Sequence, residues 1–220
     1  MIAVAIDGPA GAGKSTIAKT VAKRLGFIYV DTGALYRAIG LYCVQNGINT
    51  KDAEAVEAIL SKITVELKYF NGEQAVILLG ENVSSFIRTE EVSMAASNVS
   101  AIPAVRAFLL DMQRNMAKEN NVIMDGRDIA TVVLPFAKVK IFLTASPEIR
   151  ARRRVDQLLE KGIVEDYDKV LAEVNERDYN DSHREIAPLK PSEESVIIDT
   201  TDLTLEESIE SVYETIVNNK

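Results

Sequence analysis

A chain of 220 residues, 47% of them hydrophobic and 26% charged, has the size and composition of one large globular domain, or of one domain carrying an inserted lobe. A formal net charge of −8 gives it no overall attraction for DNA, RNA or anionic membranes, and one cysteine with one histidine excludes an intramolecular disulfide, a cysteine-only metal site and a histidine-rich one. The longest uncharged run, 92–105, holds 14 residues against the roughly 20 that cross a bilayer, and the amino terminus lacks both the basic stretch and the apolar length of a signal peptide, so a cytoplasmic protein is expected.

The chain opens on an apolar run, 2–6, read as a buried strand. Directly after it, Gly8-Pro9-Ala10-Gly11-Ala12-Gly13-Lys14-Ser15 fits the pattern G-x-x-x-x-G-K-[ST] at every fixed position. A helical pattern at 16–25, closed by Gly26, completes the strand–loop–helix context that this pattern requires. In such a loop backbone N–H groups curl around phosphate oxygens and the helix start adds partial positive charge. Lys14 reaches the β- and γ-phosphates and Ser15 ligates Mg²⁺, so the loop, with Thr16, is assigned to a nucleoside triphosphate.

A second strand at 27–30 runs into Asp31-Thr32-Gly33-Ala34-Leu35-Tyr36-Arg37, where Gly33 permits a tight turn, and a helix at 34–45 ends at Asn46-Gly47. Arg37, one turn into that helix, holds either an anion or a surface ion pair. Cys43 falls in the apolar pattern and is read as core. Alternation at 63–69, the Asn71-Gly72 step and a run at 74–79 spell a hairpin; a second turn, Gly80-Glu81-Asn82, leads to Val83. Together they form a small antiparallel lobe inserted at about 60–100. Two helical segments, at about 90–100 and 104–118, are broken at Pro103.

The run 122–124 ends in Asp125, either a Walker B-like carboxylate reaching Mg²⁺ through water or a strand that simply ends in Asp. Gly126-Arg127-Asp128 follows at the carboxyl end of that strand, where open α/β sheets bind ligands. After a strand at 139–143, Ser146-Pro147-Glu148 opens a helix that runs to 161 and closes at Gly162. It carries Arg150, Arg152, Arg153 and Arg154. The pairs 150/153 and 150/154 share a face, and like charges so stacked repel unless an anion or carboxylates neutralise them. Arg150 and Arg154, with Arg153 beside them, therefore read as a phosphate clamp and Arg152 as solvated. Arg177, Asp181 and Arg184 lie at helical spacing, as an ion-pair ladder or as part of an anion site; His183 reads as a surface residue. Seven of the 12 arginines fall between positions 127 and 184, a concentration that suits a small polyanion or a solvated, salt-bridged helix. A strand at 196–198 and a helix at 205–217 close the chain. Five strand-like runs alternating with helices predict an α/β fold: a parallel sheet with helices on both faces, with the antiparallel lobe inserted.

The combination resembles the bacterial cytidylate kinase (CMP kinase) family over almost the whole chain. The segments that carry the resemblance are Ile6 through Thr16, Asp31 through Arg37, Ile87-Arg88-Thr89-Glu90-Glu91-Val92 leading to Ser97, Pro103-Ala104-Val105-Arg106, Asp125-Gly126-Arg127-Asp128-Ile129, and Glu176-Arg177-Asp178 leading to Asp181, Arg184 and Pro188-Leu189. The resemblance implies phosphoryl transfer from ATP to CMP or dCMP with Mg²⁺, in pyrimidine nucleotide metabolism, on a P-loop NTPase-type core of five parallel strands with a helical lid at about 147–184 and an extended monophosphate-binding lobe; a single domain over 1–220, a monomer acting on small molecules, is expected. It implies a monophosphate site of Thr32, Arg37, Ser97, Arg106, Arg127, Asp128, Asp181 and Arg184. In that site Arg37, Arg127 and Arg184 hold the phosphate, Asp181 faces the ribose, and Ser97, Arg106 and Asp128 read cytosine. Arg150, Arg153, Arg154 and Arg177 match lid or transferring-phosphate arginines. Two positions depart from the family pattern: Ala130 stands where Gly is usual, at a cost if the backbone there needs positive φ, and His183 where Asn is frequent. A regulatory GTPase would need an Asn-Lys-x-Asp segment, and none occurs. A P-loop kinase for another small acceptor is the other reading.

Overall fold

The computed structural model describes residues 1–70 and 72–220. It opens with β1 (Ala3–Asp7), buried at every position, and α1 (Lys14–Leu25), which stops where Gly26 takes φ +67°. β2 (Ile28–Asp31) leads into α2 (Thr32–Gln45), whose N-cap Asp31 accepts from the Ala34 amide. Because Asp31 starts the helix, Gly33 lies inside its first turn rather than in a separate tight turn. α3 (Ala53–Leu60), capped by Asp52, buries Val56, Ile59 and Leu60; its two turns are too few for their period to stand out in the sequence.

β3 (Val65–Phe70) and β4 (Glu73–Leu78) pair antiparallel, with Val65 opposite Leu78 and Phe70 opposite Glu73. Of the Asn71-Gly72 step, Asn71 lies outside the described residues and Gly72 has φ +80°. β5 (Glu81–Asn82) pairs with β4, so these two residues form a short strand instead of the expected turn. α4 (Glu90–Ser100) is capped by Thr89, and α5 (Pro103–Glu119) begins on Pro103. The proline therefore opens the second helix rather than breaking one. At the first helical position its missing N–H forfeits no intrahelical bond.

β6 (Val122–Gly126) is followed by a π-helical turn, Ile129–Val133, and by β7 (Val139–Thr144). α6 (Pro147–Leu159) starts on Ser146 with proline at its head, and α7 (Tyr167–His183) starts on Asp166. β8 (Val196–Asp199) and α8 (Leu205–Asn219), the latter opened by a Thr204–Glu207 capping box, end the chain.

β2-β6-β1-β7-β8 form a five-stranded parallel sheet, and β3-β4-β5 a three-stranded one. β1 is central: Asp7 lies in register with Gly126 on one side and Phe142 on the other, so the loops after β1, β6 and β7 leave the same sheet edge.

The chain divides into two compact units, Met1–Tyr29 with Asn120–Lys220, and Val30–Glu119. In the first, α1 and α8 pack Ile17, Val21, Val212 and Ile216 onto Val4, Ile6, Ile123, Ile141 and Leu143 of the large sheet. Each such side chain contributes about 1.5–3 kcal/mol by leaving water. In the second, Leu35, Ile39, Val99, Val105 and Leu109 from α2, α4 and α5 close over Val65 and Leu78 of the small sheet. A Cβ on Gly40 would lie 2.9 Å from the Ala96 backbone nitrogen, so α2 and α4 meet backbone to backbone just before Ser97. Among the described residues no single helix is long and apolar enough to cross a membrane.

Candidate functional site: a phosphate-binding loop and its arginines

The loop Gly8–Ser15 has the backbone its glycines foretell. Gly8, Gly11 and Gly13 take φ of +146°, +78° and +88°. Gly8 has a second reason to lack a side chain: a Cβ there would sit 1.9 Å from the Leu143 carbonyl oxygen of β7. Lys14 is buried, and its Nζ donates to the Pro9 carbonyl at 2.7 Å. Burial, then the neighbouring positive charge of Arg127, pushes the Lys14 ammonium well below its ordinary pKa. An anion in the loop would offset both effects.

Ser15 at the start of α1 donates to Asp125 Oδ2 at 2.9 Å, and the Tyr29 hydroxyl donates to Asp125 Oδ1 at 3.0 Å. The structure thus brings the two residues assigned to Mg²⁺ together and adds Tyr29, which holds the carboxylate from its other side. A hydroxyl and a carboxylate beside a phosphate loop suit Mg²⁺, which takes one or two protein oxygens, substrate phosphates and water. No group of three or more His, Cys, Asp or Glu among the described residues forms a self-sufficient metal cage.

Past β6, Arg127 Nε donates to Asp181 Oδ2 at 2.8 Å, and Arg184 Nη2 lies 3.8 Å from Asp128 Oδ1. Arg184, at the C-cap of α7, also donates from Nε to the Ala187 carbonyl at 2.6 Å. Burial would raise the Asp181 carboxyl, but the Arg127 charge and hydrogen bond, with Arg177 and Arg184, outweigh it and hold the group below its ordinary range. Arg127, Arg177, Asp181 and Arg184 are therefore one electrostatic cluster. Lys14 feels Arg127 and Asp181, so cluster and phosphate loop act on the same space.

The four arginines of α6 separate. Arg150 is 2% exposed and pairs with Asp178 of α7, so a carboxylate supplies the neutralisation that its face requires. Arg153 donates to the Thr200 carbonyl and hydroxyl at 2.8 and 3.2 Å, and Arg154 is exposed. Arg152 is exposed and stacks over the Tyr167 ring at 4.6 Å. His183 lies at the surface, stacked on Tyr179 with ring centroids 4.1 Å apart. Ala130 costs nothing, because only Leu79 and Ala187 take positive φ among the described non-glycine residues.

In the second unit Arg37 Nη2 donates to Asp31 Oδ2 at 2.7 Å, and Arg88 Nη2 lies 3.5 Å from the same oxygen. Arg37 Nε is buried without a hydrogen-bond partner. Thr32 is buried beside them at the start of α2. Arg106 is 9% exposed, donates to the Ser100 carbonyl at 3.2 Å and lies 6.0 Å from the centre of the Tyr36 ring. Ser97 is half-buried on α4.

Sequence reasoning passed over four residues that organise these groups: Asp7, Tyr29, Asp31 and Asp178. Asp31 and Asp178 stand within segments already singled out, each close in sequence to an arginine. Tyr29 carried no signal, because a tyrosine in an apolar strand reads as core.

The family model described as cytidylate kinase matches residues 4–218. A cytidylate kinase of Caldicellulosiruptor saccharolyticus is 51% identical over 213 residues, covering 97% of this chain and 94% of its own. One of Caldanaerobacter subterraneus is 51% identical over 218 residues, covering 99% and 96%. Among solved structures, a gluconokinase from Sinorhizobium meliloti aligns with a TM-score of 0.49 at 13% identity, covering 99% of this chain and 92% of that one.

Proposed function

The chain belongs to the cytidylate kinase family, and on that premise we propose that it transfers the terminal phosphoryl group of ATP to CMP, and to dCMP, giving ADP and CDP or dCDP. The observation that carries the reading is Lys14, seated in the glycine loop and within the field of Arg127 and Asp181. A donor-phosphate cradle and an arginine cluster suited to a second anion thus share one unit.

Gly8, Pro9, Ala10, Gly11, Ala12, Gly13, Lys14, Ser15 and Thr16 bind ATP. Mg²⁺, when bound, neutralises phosphate charge, and Ser15 and Asp125 would hold it. Arg127 and Arg184, with Arg37, take the acceptor phosphate. Asp181 receives the ribose, and Asp128 with Ser97 and Arg106 reads the base. Arg154 and Arg177 serve the transferring group, whereas Arg150, expected beside them, is taken up by Asp178 and the Ala10 and Ala145 carbonyls and holds the loop to α6 and α7. The nucleophile is an oxygen of the monophosphate, whose second pKa is near 6, so it is largely ionised at neutral pH and needs no protein base. Bringing two polyanions together is the difficulty, and arginines beyond the loop answer it. A carboxylate at Asp128 accepts from the cytosine amino group, whereas the uracil carbonyl at that place would oppose it, a difference of about 1–3 kcal/mol.

Coupled ADP release with CMP, dCMP, UMP, AMP, GMP and shikimate tests the proposal. CMP and dCMP should give the highest kcat/KM, with little ADP formed when no acceptor is present. Equal ADP release with and without CMP, or a preference for shikimate, would overturn it.

A further inference from the structure

Asp7 ends β1 immediately before the phosphate loop and is 1% exposed. Its two oxygens accept from two consecutive amides of the π-helical turn, Ile129 N–H to Oδ1 and Ala130 N–H to Oδ2, each at 2.7 Å. The first amides of a helical turn find no acceptor within it. Here a carboxylate from the central strand supplies both acceptors across 122 and 123 residues of sequence.

The residues just before that turn are Arg127 and Asp128. Asp128 is buried and takes φ −147°, ψ +29°, off the regular helix and strand regions, and the Val132 amide donates back to its carbonyl at 2.9 Å. Its side chain is therefore aimed by a backbone that Asp7 fixes from below. We propose that Asp7 is a positioning residue, which couples the donor-phosphate loop to the acceptor-reading pair Arg127 and Asp128 by clamping the turn behind them. The proposal rests on the acceptor role given above to that pair.

A carboxylate is required because two N–H donors point at one side chain. Asparagine would satisfy one and turn its own NH₂ toward the other. The competing role is electrostatic. Asp7 also acts on Lys14, which it helps keep charged, and burial together with the Asp128 charge raises Asp7 to about 6 against two favourable backbone bonds. The two roles load different substrates.

Asp7→Asn separates them by steady-state kinetics with each substrate varied in turn. As a positioning residue, Asp7→Asn raises KM for CMP at least about fivefold and leaves KM for ATP within about twofold. A rise in KM for ATP, or a fall in kcat, with KM for CMP unchanged assigns Asp7 to Lys14 and overturns the proposal. Ala130→Pro removes one of the two donors without touching any charge and should give the same split. Failure of both variants to fold assigns Asp7 to stability alone and also overturns it. The CMP/UMP ratio of kcat/KM, measured in Asp128→Asn and in the Asp7→Asn, Asp128→Asn double variant, isolates the underlying reading. An unchanged ratio in Asp128→Asn removes that residue from base recognition while the KM split still decides Asp7. A ratio narrowed in Asp128→Asn and narrowed no further in the double variant supports both.

Discussion

Arg150 and Asp178 face each other as a two-bond pair, Nη1 lying 3.0 Å from Oδ1 and Nη2 2.5 Å from Oδ2. The same guanidinium donates to the carbonyls of Ala145 and Ala10, the second within the phosphate loop. One arginine thus ties α7 to α6 and to the loop. Removing one member of a buried pair costs about 3–5 kcal/mol, because the other charge is left without a partner. The Asp178 side chain is 27% exposed against 3% for Arg150, and partial solvation brings the expected loss for Asp178→Asn to about 2 kcal/mol. Urea denaturation followed by far-UV circular dichroism measures it. A loss under about 0.5 kcal/mol would mean that the pair adds no more than a surface contact.

Gly8 is fixed by space as well as by φ. The atom that a Cβ would strike, the Leu143 carbonyl oxygen, belongs to a neighbouring strand and cannot swing away as a side chain does. Gly8→Ala should therefore displace the loop from β7 and lower stability by about 3 kcal/mol or more. Gly26→Ala is the control: φ is also positive, +67°, but nothing lies within 4 Å, so the cost is about 1 kcal/mol from the backbone alone. Equal shifts in Tm for the two variants would refute the steric account.

The contrast between these two glycines shows what a sequence conveys. The loop was legible because its chemistry is local: phosphate binding needs glycines, a lysine and a hydroxyl at fixed spacing after a strand. Asp125 was legible because a strand ending in Asp places a carboxylate at the sheet edge. The fate of Arg150 was only half legible. Helical spacing put it beside like charges in need of neutralisation, but whether an anion or Asp178 supplies it depends on how α7 packs against α6, across 28 residues. Asp7 was silent for the same reason, since its partners are backbone amides of Ile129 and Ala130, which no side-chain pattern reports. α3 and β5 were missed because eight and two residues carry too little period to read.

Lys14 is held by one carbonyl bond in a buried place, and both burial and Arg127 oppose its charge. A phosphate in the loop would restore the favourable balance, so the proposed role of Lys14 is to act on the bound nucleotide and not to hold the fold. Lys14→Ala should leave Tm close to that of the parent chain and reduce phosphoryl transfer by a factor of about 100 or more, the loss of one charged donor to the transferring group being worth about 3–4 kcal/mol. Retention of more than about a tenth of the rate would remove Lys14 from that role.

Asp181 is the carboxylate on which Arg127, Arg177 and Arg184 converge, and its folded-state pKa lies below the ordinary 3.8. A lowered folded pKa means that the fold binds the ionised form more tightly than the unfolded chain does. The resulting stability is complete well above pH 3.8 and is lost as pH falls through the folded value. Asp181→Asn removes this contribution at every pH while keeping one acceptor for Arg127. The difference in unfolding free energy between parent and variant should therefore stay constant, at about 1–3 kcal/mol, from about pH 8 to about pH 5. It should shrink only below 3.8, where the parent takes up the proton that the variant never binds. Urea midpoints of both proteins at a series of pH values give the curve. A difference that instead grows as pH falls from about 6 to about 5 would place the Asp181 pKa above its unfolded value, and would mean that burial outweighs the three arginines.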